Sequence, residues 1–363
     1  MIQTQTEEME MATRIEEIVQ QKQPYWESFW KGDVPMLSAV LPKDPANPVD
    51  KPKLGITHKT DIDALADHLL EWARTNAFLG GAIPFYCIYI FDVYSVTGAL
   101  MGAEVRASGN SHSMVPFLDE LDPDKIQLHP DGPVADRIRS IAARLKERCG
   151  EELLIFGNSI NGNLDALEAI RGNSRLLMDL YDNPDGVHSC LDACDRVVAE
   201  ILDMYADIYE FEKFGCICRH GMYNRGKVSV PQCDFGYMIS PDHFEEFAYP
   251  YLAREFERLD GVCYHLDGIG NLPNLELLCS DPNLHIIQWV PGAGKSREDW
   301  THVYEKTNKL GRGCMRSGSI QSFESWYENH KAPFEYWNIK TDSADEFNKC
   351  LEKYAPGLSG ETA

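Results

Sequence analysis

Val262-Cys263-Tyr264-His265-Leu266-Asp267-Gly268 is an apolar run that ends in an imidazole and a carboxylate two residues apart, with a glycine directly after. In a β-strand, residues i and i+2 point to the same face, so His265 and Asp267 would project together from the carboxyl end. In an α/β barrel that end carries the chemistry.

Outward from this run the chain alternates. Strand-like stretches lie at 83–93, 153–157, 215–219, 228–234, 285–290, 314–317 and 335–340. Helical ones lie at 134–148, 164–208, 241–259, 271–279, 297–309 and 342–354. Such alternation predicts a parallel sheet covered by helices. About eight strands predict a single (β/α)8, TIM-type barrel over 60–355, entered through a helix at 61–76. Residues 1–59 read as an N-terminal helical extension: an acidic amphipathic helix at 6–31 with an aromatic cluster (Tyr25, Trp26, Phe29, Trp30), then a proline-rich irregular connection at 41–53. Residues 356–363 read as a frayed tail.

The chain has 363 residues, of which 34 basic and 57 acidic ones leave a net charge of −23. That balance excludes the basic surface of a nucleic-acid binder and disfavours anionic membranes. Eleven scattered cysteines fit buried thiols better than a disulfide framework. No apolar run approaches the ~18 residues of a membrane span, and residues 1–21 lack the order of a signal peptide. The expected compartment is the cytoplasm. Pro291-Gly292-Ala293-Gly294-Lys295-Ser296 ends like a phosphate-binding loop, but Trp289 stands where that motif needs its first glycine.

Several polar residues close predicted strands: Asp92, Asn158, Cys233 with Asp234, His265 with Asp267, and Gln288 with Trp289. Their convergence on one rim would make an active site. The His265–Asp267 pair is open to three readings. It could bind a metal, with Cys314 as third ligand. It could do metal-free acid–base or charge-stabilising work, or it could tie two loops together. Asp234, in the loop before a helix opened by Ser240-Pro241, joins the pair as a catalytic candidate. Asp92, Asn158, Gln288, Trp289 and Cys233 are the substrate-binding candidates.

Tyr264-His265-Leu266-Asp267-Gly268, Ile287-Gln288-Trp289-Val290-Pro291-Gly292 and Cys233-Asp234-Phe235 with Ile239-Ser240-Pro241 together resemble the uroporphyrinogen decarboxylase-like superfamily. So do Asn163-Leu164-Asp165-Ala166-Leu167, Arg171-Gly172 and Asn183-Pro184. The likeness is to its divergent bacterial branch related to corrinoid-dependent methyltransferases. It implies one (β/α)8 barrel with a cleft at the strands' carboxyl ends, and dimers of such barrels. It also implies a methyltransferase moving a methyl group between a small substrate and a corrinoid (cobalamin) on a partner protein. A decarboxylase acting on a porphyrinogen or smaller acid is the alternative, and a non-catalytic barrel binding a tetrapyrrole or partner is the second. The chain also departs from the family. The decarboxylases' catalytic aspartate falls near Asp92, but their arginine-rich motif is absent before residue 60. The zinc-dependent members carry His-x-Cys where this chain has His265-x-Asp267, and no cysteine closely follows 335–340.

Overall fold

The computed structural model describes residues 13–91, 96–108 and 111–357. Ten strands organise it: β1 (Met36–Pro42), β2 (Asn76–Gly80), β3 (Phe85–Cys87), β4 (Leu154–Phe156), β5 (Cys216–Ile217), β6 (Val228–Ser229), β7 (Gly261–Asp267), β8 (Ile286–Val290), β9 (Gly313–Gly318) and β10 (Tyr336–Ile339). The central sheet runs β6-β7-β8-β9-β10-β1-β2. Every neighbour in it is parallel except β2, which pairs antiparallel with β1. β3 and β4 form a separate parallel ladder. The result is an α/β protein with a parallel-dominated central sheet.

Two expectations are corrected. Among the described residues, hydrogen bonds do not close the strands into a ring. Two-residue β5 spends its backbone bonds on an antiparallel partner, Tyr223–Asn224. A thiol, Cys216 Sγ, reaches the Val228 carbonyl of β6 at 3.3 Å. A side chain spans the gap beyond β4, where Arg219 Nη1 donates to Ser159 Oγ at 3.1 Å. The N-terminal extension is also not merely helical and irregular. Its residues 36–42 form β1, inside the sheet between β10 and β2. β1 is buried along nearly its whole length, so it shows no alternation of apolar and polar residues, and the prolines after it masked its signal.

The single helix expected over 164–208 is three: Asn163–Arg171, Asn173–Asp182 and Pro184–Ile208. Gly172 sits at φ +89° between the first two, a conformation open to glycine. Pro184 then takes the first position of the third helix, where its missing N–H costs nothing. A hairpin, Glu104–Ser108 with Ser111–Val115, went unforeseen. All eleven cysteines are buried and unbridged. Among the described residues no helix is long and apolar enough to cross a membrane.

The helix Arg14–Trp30 closes the strands' amino-terminal end. Trp26 stacks on Tyr336 of β10 (6.1 Å) and Trp30 (6.2 Å), and its Nε1 donates to the Gly81 carbonyl at 3.0 Å. Trp30 Nε1 donates to the Tyr223 carbonyl at 2.7 Å. The first residue of β7 lies so close to Trp30 that a Cβ on Gly261 would sit 2.9 Å from its ring. With this end sealed, the opposite rim is left for chemistry. Trp26→Ala should cost about 3–5 kcal/mol, read as a lower urea midpoint. An unchanged midpoint would show that the helix is dispensable.

Candidate active site

β7 and β8 set the site. Their parallel register places His265 opposite Gln288 and Asp267 opposite Val290. β7 is buried except at His265 and Asp267, which are half-exposed on one face as alternation requires. Gly268 then takes φ +80° and its N–H donates to the Val290 carbonyl at 2.7 Å, turning the chain off the strand. A parallel bridge pairs Gln232 with His265, bringing in the segment after β6. One ring nitrogen of His265 and one carboxylate oxygen each from Asp234 and Asp267 lie within 4.8 Å of one another.

Amides hold these groups. Gln288 Oε1 lies 2.7 Å from His265 Nδ1 and 2.9 Å from His220 Nε2. A carbonyl oxygen only accepts, so His265 donates to it through Nδ1, while His220 Nε2 also lies 3.3 Å from the Arg219 Nε donor. His265 then keeps its lone pair on Nε2, the state a metal ligand or general base requires. Gln232 Nε2 donates to Asp234 Oδ2 at 2.8 Å, while its Oε1 accepts from Arg219 Nη1 at 3.1 Å. Burial, and then the Arg219 cation, lower both histidines, His220 to about 3. Asp165 accepts the backbone N–H groups of Asp234 and Phe235, both at 3.0 Å, and so pins the Asp234 loop. Burial and then the Asp234 charge push the Asp165 carboxyl up. Asp267 Oδ1 is buried without a hydrogen-bond partner among the described residues.

That last atom tests the metal reading. A buried, unpartnered carboxylate oxygen is costly, and here it belongs to a nitrogen–oxygen–oxygen donor set. Such a set fits a divalent ion held by three protein ligands with a position left open. With no thiolate among its three donors, it is a hard set.

No protein-family model matches the chain, and no curated protein sequence matches it. Among solved structures it resembles a methyltransferase from Methanosarcina mazei. The TM-score is 0.50 at 12% identity, over 78% of this chain and 80% of that chain. Macrophomate synthase overlaps at a TM-score of only 0.21 and 9% identity, over 60% of this chain and 78% of that chain. The fold is methyltransferase-like.

The remaining candidates divide. Gln288 belongs to the site. Cys314 does not: its thiol is fully buried near Asn308 Nδ2 (3.7 Å) and the Tyr304 carbonyl (3.8 Å), apart from the three-residue cluster. Asn158 is 1% exposed, and its Oδ1 accepts the Ile90 N–H at 3.0 Å, tying two strand ends together. Trp289 is buried against Trp300, with ring centroids 5.3 Å apart. Cys233 is buried, and burial pushes its thiol well up, so it supports the Asp234 loop. Asp92 lies outside the described residues. Sequence reasoning missed Arg219, His220 and Asp165. Arg219 and His220 end β5's segment as His265 and Asp267 end β7, so the same strand-end signal was present. Beside Asp234 opens a cleft of ≈ 550 Å³, walled by Asp165, Glu168, Met114 and Met238.

His220 yields a pH prediction. Its pKa is depressed to about 3 in the folded chain, against about 6.5 unfolded. The unfolded state therefore binds the proton first, and stability is lost as pH falls from about 6.5 towards 3. His220→Gln should make that loss shallower in urea unfolding between pH 7 and 4; an identical slope would contradict the assignment.

Proposed function

We propose that the chain is a methyltransferase that moves a methyl group between a small substrate and a corrinoid carried by a partner protein. The reacting centre is a divalent metal ion held by His265, Asp267 and Asp234. The observation that carries this reading is the unpartnered Asp267 oxygen within a three-donor cluster at the carboxyl ends of parallel strands. The methyltransferase-like fold supports it at the level of architecture alone. On this reading the curled sheet is a (β/α)8 barrel whose hydrogen-bonded wall is interrupted at β5.

Methyl transfer is a displacement, so donor and acceptor must be aligned and charge managed as it develops. An ion at this site would act as a Lewis acid, lowering the pKa of a thiol, amine or water bound beside it. The chain's residues supply the rest. Gln288 fixes the His265 tautomer, so Nε2 faces the centre as an unprotonated donor. Gln232 orients Asp234, and Asp165 fixes the loop that carries it. The depressed His265 and His220 pKa values keep both rings neutral near pH 7, so neither competes as a cation. A substrate reaches the centre through the cleft beside Asp234.

Elemental analysis of the purified chain after zinc, cobalt or manganese loading should find about one ion per molecule. His265→Ala and Asp267→Ala should each weaken that binding by roughly 10- to 100-fold or more with little change in Tm. With methylcob(III)alamin and a panel of thiols and amines, the loaded enzyme should produce the absorbance change of demethylation. Asp267→Ala should lose it by orders of magnitude. Full turnover by Asp267→Ala would refute the centre, and no ion binding in the wild type would refute the metal.

A further inference from the structure

Two lysines are pushed down by burial to about 8, Lys22 and Lys51. Lys22 is satisfied: its Nζ donates to the carbonyls of Phe78 (2.9 Å) and Gly80 (2.7 Å). Lys51 is not. Its Nζ lies 3.5 Å from the centre of the Phe85 ring and 5.2 Å from that of Trp72. Among the described residues it has no carboxylate partner and no hydrogen-bond acceptor. Cation–π contact offsets part of the lost hydration, but this half-buried ammonium facing open space still lacks a counter-charge.

The space is a cavity of ≈ 260 Å³ between β1, β10 and the loop after β5. In a chain with 57 acidic residues, its lining among the described residues holds no Asp or Glu, and Lys51 is the one lysine or arginine among them. Two neutral donors share it. Ser38, only 5% exposed, lies beside Tyr336 yet makes no well-formed hydrogen bond through its hydroxyl. Asn338, paired with Ser38 across β1 and β10, presents its side-chain amide. A further polar wall is His220, whose Nε2 lies 2.9 Å from the same Gln288 oxygen that holds His265. The cavity and the proposed reacting centre are thus separated by one imidazole and one amide.

We propose that this cavity is a subsite for the carboxylate of a small acid, with Lys51 as its counter-ion and Ser38 and Asn338 as neutral donors. This inference rests on the proposed function insofar as the acid is the small substrate of the His265 centre; the binding itself does not need that reading. The volume falls just below the roughly 300–1,000 Å³ of drug-sized ligand pockets, so the anchored part has only a few carbon atoms and a porphyrinogen is too large. His220 closes one side, placing the bound acid next to the Gln288 relay.

Ligand-observed NMR with acetate, glycolate and succinate, and with inorganic phosphate as the competing anion, tests the subsite on the full chain. At least one carboxylate should bind the wild type, and Lys51→Met should weaken it tenfold or more, with Lys51→Arg retaining part of the affinity. Lys51→Met should keep or raise Tm, because it removes an unpaired, half-buried charge without shortening the side chain. His265→Ala should bind the same carboxylate as the wild type, so a failed methyl-transfer assay leaves this result standing. Failure of every carboxylate to bind, equal binding by Lys51→Met, or binding of phosphate as tight as that of any carboxylate would overturn the proposal.

Discussion

A single side-chain carbonyl sets the geometry of the site. Gln288 Oε1 lies within hydrogen-bond reach of two imidazoles, His265 Nδ1 and His220 Nε2, and is in place because β7 and β8 pair in a register that sets residue 288 beside 265. A shift of one residue would turn the Gln288 side chain to the other face. The register is therefore a chemical as well as an architectural constraint. With it, a His265 ring that donates through Nδ1 presents its Nε2 lone pair rather than consuming it, while burial and the Arg219 charge keep both rings neutral.

Around that point the protein arranges charge with economy. Arg219 lies beside His220 and reaches Gln232 and Ser159, so one cation links the segments after β4, β5 and β6. Its field and the burial of the rings act in the same direction on the histidines. The carboxylates are treated differently. Asp234 and Asp165 are held by amide donors from a side chain and the backbone, whereas one oxygen of Asp267 has no partner among the described residues. Hydrogen bonds thus orient most of the acids and leave one donor atom available to whatever binds.

The alternation of strands and helices was legible in the sequence, as was the convergence of His265, Asp267 and Gln288, which follows from period-two geometry at strand ends, and of Asp234, which follows from its place in the loop before the Ser240-Pro241 helix start. β1 was not, since a strand buried on both faces lacks that period. The unclosed ring was not, since it arises from a two-residue β5 that pairs with its own return segment, and such a short run carries no periodic signal. Cys314 was misplaced for an instructive reason. It stands near the right end of a strand, but alternation sends its thiol to the helix-covered face, where Asn308 and Tyr304 meet it. Lys51 lies in a proline-rich stretch with no pattern, and only the fold brings Phe85, Trp72 and β10 around it.

The aromatic helix at the amino-terminal end has a bearing on how the chain is made. Trp30 is tied to Tyr223, 193 residues later, and Trp26 to β10 near the far terminus. At roughly 5–20 residues per second of synthesis, the helix must wait ~10–40 s for Tyr223 and longer for Tyr336. Throughout that interval the faces of Trp26 and Trp30 that these partners cover lack their cover on a nascent chain, the kind of apolar stripe that molecular chaperones shield. The helix is therefore made well before the last of the partners that cover it.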